Sequence, residues 1–114
     1  MEECTLDNVY QRRARVARAL AHPTRLEILD MLRGQEEICV CEIAAALAQG
    51  QPTVSKHLSS LRDAGIVSSR KQGLQVFYTL RVGCVTGFFD CLDRVLYEDM
   101  EDTMKALGVV NSNE

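Results

Sequence analysis

Residues 41–80, CEIAAALAQGQPTVSKHLSSLRDAGIVSSRKQGLQVFYTL, decide the fold of this chain. A run of strong helix formers at residues 42–47 is followed by a tight turn at residues 49–51. Pro52 suits the start of a second helix, which ends at Gly65 and has its apolar face at Val54, Leu58 and Leu61. Two short helices joined by such a turn are typical of a helix-turn-helix.

The pattern changes after the second helix. Residues 66–71 and 74–80 are two β-prone runs, and Gln72 and Gly73 lie between them. This arrangement predicts a β-hairpin. A hairpin directly after a helix-turn-helix is a wing, so we predict a winged helix-turn-helix whose second helix enters the major groove of DNA by its N-terminal end.

The flanking segments are predicted to be mainly helical. Apolar residues recur at helical spacing over residues 7–20, over residues 24–32 after Pro23, and over residues 84–107. A brief alternation at residues 36–41 indicates a short extended stretch. The predicted fold class is therefore mainly α with a two-stranded β-hairpin. We expect one domain over residues 1–114, with the helix-turn-helix at about 41–65 and the wing at about 66–80.

Composition limits the classes of protein that the chain can belong to. The 114 residues are 46% hydrophobic, as is usual for a globular protein, and no apolar run approaches the length of a membrane span. The acidic N-terminus, Met1 to Cys4, does not resemble a secretory signal. We therefore expect a cytoplasmic protein without a membrane partner, whose five cysteines are reduced thiols.

Charge is distributed unevenly along the chain, although the net charge is only −3. Residues 51–81 carry five basic groups and one acidic group, whereas residues 82–114 carry two basic and seven acidic groups. A compact basic segment between acidic flanks is typical of a protein that binds duplex DNA. The residues expected to contact bases or phosphates are Gln51, Thr53, Ser55, Lys56, Ser59, Arg62, Arg70 and Lys71.

Four segments of the chain resemble the ArsR/SmtB metal-responsive repressors. Residues 19–29, ALAHPTRLEIL, resemble the opening signature of that family, and residues 51–58 and 61–67 resemble its recognition helix and the exit from it. Residues 73–80 resemble its wing. The resemblance covers roughly residues 10–82. It implies a homodimer built from the first and last helices, and it implies that ligand binding weakens the affinity for operator DNA.

The spacing of Cys39 and Cys41 predicts a site for a soft ion. Thiolates favour soft ions, and two close cysteines supply part of a ligand set. A helix N-terminus is expected to lower the pKa of these thiols. With Ile38, Val40 and Ile43 assigned to the buried side, the two cysteines are predicted to lie on the outer side. Residues 39–41, Cys-Val-Cys, also resemble the signature of the arsenite and the cadmium/lead sensors of the family.

Chelation by both cysteines requires a change of shape. Residues two apart do not face each other in a regular helix, so we expect local unwinding that displaces the recognition helix. Where arsenite repressors of this type often place a third cysteine, this chain has Ala44. The resemblance to the cadmium/lead sensors makes Cys4 the candidate third ligand. Three thiolates suit As(III) or Sb(III), whereas a fourth donor would favour Cd(II), Pb(II) or Zn(II).

Several alternatives remain open at this point. Cys84 and Cys91 lie seven residues apart on one face of the last helix. We expect them to be packing residues, with a redox- or persulfide-sensing dithiol as the alternative. The winged helix could also bind protein instead of DNA. An enzyme is not expected, because Cys39 and Cys41 have no nearby base or cofactor loop. His57, within the recognition helix, is assigned no metal role.

Overall fold

A computed structural model describes residues 6–108 of the chain, so Cys4 lies outside the described residues. These residues form two compact units, one up to Gly83 and one from Cys84 onward. The elements of the first unit are α1 (Leu6–Leu20), α2 (Pro23–Leu32), β1 (Ile38–Cys39), α3 (Val40–Leu47), α4 (Gln51–Asp63), β2 (Val67–Gln72) and β3 (Gln75–Leu80). The second unit contains α5 (Val85–Ala106).

The first unit is a winged helix-turn-helix, as the sequence predicts. Helices α3 and α4 form the helix-turn-helix, and the β2–β3 hairpin that follows is the wing. Their common core consists of side chains that are almost completely buried: Ile28, Leu29, Leu32, Ile43, Val54, Leu58, Leu61 and Val67. These residues recur at helical spacing in α2 and α4, which explains why periodicity alone located the core.

The sheet has one more strand than the two-stranded hairpin that we predicted. Strand β1 pairs with β3 in antiparallel fashion, and the strand order is β1-β3-β2. Residues 36–41 were expected to be extended, but no local pattern identifies the partner of so short a strand. The pairing attaches the wing to the segment that leads into α3.

Two of the turns that shape the DNA-binding surface use the left-handed region of the backbone. Ala48, after α3, has φ 56°, and Gly73, in the two-residue wing turn, has φ 63°. Glycine adopts this region freely, whereas alanine does so at a cost in free energy. The amide side chain of Gln49 also donates a hydrogen bond of 3.3 Å to the Thr24 hydroxyl, which ties the turn between α3 and α4 to α2.

A polar cluster at the start of α2 holds α4 in place. The Arg25 guanidinium donates to Nδ1 of His57 in α4 at 3.1 Å and to the carbonyl oxygen of Ala19 in α1 at 3.2 Å. His22 caps α2 by accepting a hydrogen bond from the Thr24 N–H, and its ring lies 4.4 Å from the His57 ring. His57 is therefore an interhelical packing residue.

None of the described helices combines the length and the apolar character that a membrane span requires.

Acid is expected to destabilise this helix arrangement through His57. Partial burial, followed by the nearby His22 and Arg25 side chains, lowers the pKa of His57 below its ordinary value of 6.5. The folded state therefore binds a proton on the His57 ring less tightly than the unfolded state does. The contribution of neutral His57 to the free energy of unfolding is complete above pH 6.5 and is lost as the pH falls through the lowered pKa. Urea unfolding between pH 5 and pH 8 should show a smaller loss of unfolding free energy for His57→Gln than for the wild type. Equal losses in the two proteins would contradict this assignment.

Candidate DNA-binding surface and thiol site

Helix α4 presents a polar surface at its N-terminal end. Gln51, Thr53 and Lys56 are exposed, whereas Ser55 and Ser59 are half-buried. Gly50 caps α4 without a side-chain hydrogen bond, and Pro52 has no N–H, so within the described residues no capping side chain competes with an anion such as a phosphate for the N–H groups of Gln51 and Thr53. Amide and hydroxyl side chains at this end have the chemistry required to contact base edges and phosphates.

Basic residues continue this surface away from the helix N-terminus. Arg62 is exposed in the last turn of α4, and Lys71 is exposed on β2 near the wing tip. Leu74 occupies the tip itself and is 100% exposed, which makes it an apolar candidate contact that the sequence analysis did not include. The sequence pattern predicted the turn at Gln72 and Gly73 and assigned Leu74 to the following strand; this was wrong by one residue, because Gln72 pairs with Gln75 and the turn residues are Gly73 and Leu74.

Arg70 differs from the other basic candidates because its side chain is already engaged. Its guanidinium forms a bidentate ion pair with Glu37, with Nε–Oε2 and Nη2–Oε1 distances of 3.0 and 2.6 Å. It also donates to the Gln72 side chain at 2.7 Å and lies 4.8 Å from the centroid of the Phe77 ring. The hydrogen bond from Arg70 lowers the pKa of the Glu37 carboxyl, so both groups are charged at neutral pH.

Cys39 is not on the outer side of the fold, so our prediction for this residue was wrong. It is buried, with 3% of its surface exposed, while Cys41 is half-buried. The reason is the pairing of β1 with β3, which places Cys39 opposite Phe77 inside the sheet. Local periodicity over residues 38–43 indicates a single amphipathic segment and carries no information on this strand partner.

Cys39 also caps α3. Its Sγ accepts a hydrogen bond from the Cys41 N–H at 3.4 Å, and the Glu42 carboxylate accepts one from the Cys39 N–H at 3.3 Å. The two bonds form a capping box in which sulfur takes the place of the usual hydroxyl oxygen. The two cysteines are thus already in contact through the Cys39 sulfur and the Cys41 backbone, and their side chains also interact.

The pKa of Cys41 also differs from expectation. The neighbouring Cys39 side chain, and next partial burial, raise the pKa of the Cys41 thiol above its ordinary value of 9.0. The expected lowering by the helix N-terminus is therefore wrong for this residue. Because ligation requires the thiolate, an ion bound here must displace the proton, so ion binding would be favoured by higher pH.

The described residues supply only part of a ligand set for a soft ion. Two thiols at the start of α3 have suitable donor chemistry, but within residues 6–108 no cluster of three His, Cys, Asp or Glu side chains is arranged to hold a metal ion. Ala44, at the position where a third cysteine was considered, is buried. Cys4, the candidate third ligand, lies outside the described residues.

Cys84 and Cys91 are both exposed within the chain, so the expectation that they are packing residues was wrong for the single chain. Cys84 occupies the N-cap position of α5 without a side-chain hydrogen bond to the helix, and Cys91 lies two turns further along. The error arose because their shared helical face was assumed to be a buried one.

Comparison with known proteins agrees with this geometry. The family model described as bacterial regulatory protein, arsR family, matches residues 22–69. An HTH-type transcriptional regulator of Methanocaldococcus jannaschii is 45% identical over 60% of this chain and 78% of its own length. The arsenical resistance operon repressor of Escherichia coli is 48% identical over 54% of this chain and 52% of its own length.

Two further matches extend the comparison. A homologue of a cadmium resistance transcriptional regulatory protein from Staphylococcus aureus is 39% identical over 59% of this chain and 55% of its own length. The alignments thus span about half the length of the arsenical and cadmium regulators. The solution structure of a homodimeric winged helix-turn-helix DNA-binding domain from Mycobacterium bovis, described as a possible ArsR-family regulator, superposes with a TM-score of 0.71. It is 31% identical, and the match covers 86% of this chain and 92% of that one.

All these relatives are transcriptional regulators and not enzymes. The fold, the family match and the identity to relatives aligned over most of their length lead to one conclusion: this chain belongs to the ArsR family of winged helix-turn-helix transcriptional regulators.

Proposed function

We propose that this protein is a homodimeric repressor that binds operator DNA and releases it when a soft metal or metalloid ion binds to cysteine thiolates. The observation that carries the proposal is the position of Cys39, whose sulfur caps the first helix of the DNA-binding motif. As(III) and Sb(III) are the proposed inducers, with Cd(II), Pb(II) or Zn(II) as the alternative. Two of the relatives are named for arsenical and cadmium resistance.

In the proposed complex, α4 lies in the major groove of DNA. Gln51, Thr53, Ser55 and Ser59 are the candidates for base or phosphate contacts, while Lys56 and Arg62 contact phosphates. The wing, with Lys71 near its tip, lies against the adjacent backbone or minor groove. Arg70 is kept as a candidate phosphate contact, although DNA would have to compete with Glu37 for its guanidinium.

The proposed dimer uses the terminal helices. Val95, Leu96 and Met100 of α5 are each more than 60% exposed, which is a large apolar surface for one helix of a small protein. In α1, Val16 is 39% exposed. The related domain from Mycobacterium bovis is described as homodimeric. A dimer would place two recognition helices about 34 Å apart, one helical turn of DNA.

Removing the Lys56 charge is expected to weaken DNA binding at every sequence. Lys56→Gln should reduce the slope of log Kobs against log salt concentration by about one and lower the affinity, because one phosphate contact is lost. Fluorescence anisotropy with operator DNA over a range of salt concentrations measures both quantities. Lys105→Gln, which removes an exposed lysine from the last turn of α5, is the matched control and should leave the slope unchanged. Equal slopes for Lys56→Gln and the wild type would contradict a phosphate contact.

The proposed release mechanism follows from the capping bond. In this mechanism an ion that binds both sulfurs draws the Cys39 Sγ out of its buried position and away from the Cys41 N–H. The first turn of α3 then loses its N-cap, a change worth about 1 kcal/mol in measured helices. Since α3 packs against α4, a shift of the first turn changes the position of the recognition helix.

Without either thiol, addition of the ion should no longer release the DNA. In a mobility-shift titration, arsenite should dissociate the wild-type complex but not the complexes of Cys39→Ser or Cys41→Ser. Serine retains a hydroxyl that can cap α3, so DNA binding itself should remain.

Cys91→Ser serves as the matched control and should respond like the wild type. Parallel titrations with antimonite and cadmium identify the preferred ion, and X-ray absorption on wild type and Cys4→Ser counts the sulfur ligands. Normal release from both serine variants would contradict the proposal.

Exposure of both Cys84 and Cys91 favours a second candidate function, a repressor that senses oxidants or persulfides. In the single chain both thiols are accessible to such reagents, whereas the buried Cys39 is not. In this case the ion site would be absent, and modification of α5 would change the DNA affinity.

Mass spectrometry after polysulfide or peroxide treatment tests this second candidate. If it is correct, Cys84 and Cys91 carry the modification and Cys84→Ser abolishes DNA release by these reagents. An unmodified Cys84 in protein that has released its DNA would exclude the candidate.

A further inference from the structure

We propose that Glu37 couples the cysteine pair to the wing by holding the Arg70 guanidinium across strand β3. This inference rests on the proposed function, because it concerns how ion binding at Cys39 and Cys41 reaches the DNA-binding surface. It assigns Glu37 as a positioning residue that contacts neither the ion nor the DNA.

The sheet places the three parts of this connection in one row. Cys39 in β1 lies opposite Phe77 in β3, and Phe77 lies opposite Arg70 in β2. The wing strand β2 has no direct pairing with β1, because β3 lies between them. Any direct link from the cysteine segment to β2 must therefore cross β3.

The Arg70 side chain makes this crossing. Its guanidinium lies over the Phe77 ring, with 4.8 Å from Cζ to the ring centroid, and reaches Glu37 immediately before β1. Both carboxylate oxygens of Glu37 accept hydrogen bonds from it, at 2.6 and 3.0 Å. A bidentate arginine–carboxylate pair fixes orientation as well as distance, so the wing follows the position of Glu37.

Movement of Cys39 must change this pair. Glu37 is two residues before Cys39, and the intervening Ile38 is buried and paired with Tyr78. If an ion draws the Cys39 sulfur outward, the short strand β1 has only two paired residues to resist the change. The carboxylate then shifts relative to Arg70, and the wing loses the ion pair that links β2 to the segment before β1, while its packing in the core is kept.

The test compares ion-induced loss of operator affinity in wild type and Glu37→Gln. The neutral amide cannot form the bidentate ion pair but preserves the size of the side chain. We expect ion-free DNA affinity to change by no more than about fivefold, as for an exposed ion pair. The ion affinity, followed by the absorbance of thiolate–cadmium binding, should stay at the wild-type value. The ion-induced drop in DNA affinity should be at least about fivefold smaller than in wild type.

Two further variants show whether Glu37 acts through Arg70. Arg70→Gln should reduce the ion-induced drop in DNA affinity by the same factor as Glu37→Gln. In the double variant the reduction should be no larger than in either single variant. Asp30→Asn is the matched control, because it breaks the exposed Asp30–Arg33 pair of 2.7 Å in α2 and its flank. It should keep the full ion-induced drop.

Each outcome is decisive. A wild type that keeps its DNA in the presence of every ion overturns the proposed function, and this inference with it. A responsive wild type together with a fully responsive Glu37→Gln overturns the coupling alone. If the reductions found in the two single variants multiply in the double variant, Glu37 and Arg70 act independently, and the proposed coupling is also overturned.

Discussion

The two halves of the DNA-binding unit meet at Cys39, where a hydrogen bond from the Cys41 N–H to the Cys39 sulfur caps α3. Cys39 is the last residue of β1 and the N-cap of α3, so one residue ends the strand that attaches the wing and begins the helix-turn-helix. The returning bond from its own N–H to Glu42 fixes the first turn of α3. Sulfur is a weak acceptor, so this cap is easier to disrupt than one formed by a hydroxyl oxygen.

The position of α4 depends on what surrounds this cap. Leu58 and Leu61 bury one face of α4 in the core, and the Arg25–His57 hydrogen bond attaches a second face to α2. The helix is thus fixed by apolar packing and by one polar contact. With its inner faces held in this way, its N-terminal polar residues are left at the surface, where DNA recognition requires them.

The same architecture explains why a sensing site here would combine two opposing properties. The raised pKa of Cys41 favours its neutral thiol, and the buried position of Cys39 holds its sulfur in the capping bond of the ion-free fold. A soft ion offers metal–sulfur bonds that can replace the capping bond and displace the thiol protons. The ion and the capping hydrogen bond of α3 then compete for the same sulfur atom, that of Cys39. The Glu37–Arg70 pair extends that competition to the wing.

The sequence by itself determined the helix-turn-helix, the wing and the core, because each rests on local signals. Apolar periodicity in α4, Pro23 and Pro52 at helix starts, and Gly73 in the wing turn are all properties of neighbouring residues. It also singled out the cysteine pair and the exposed polar residues of α4, because residue type and spacing are enough for that.

Only the tertiary structure decided the environment of those residues. The burial of Cys39, the third strand of the sheet and the engagement of Arg70 by Glu37 depend on pairings between segments 33 or more residues apart. Such contacts are set by how the elements pack and not by any local period. For that reason the sequence could name the candidate thiols, while their burial, their capping bond and their connection to the wing required the fold.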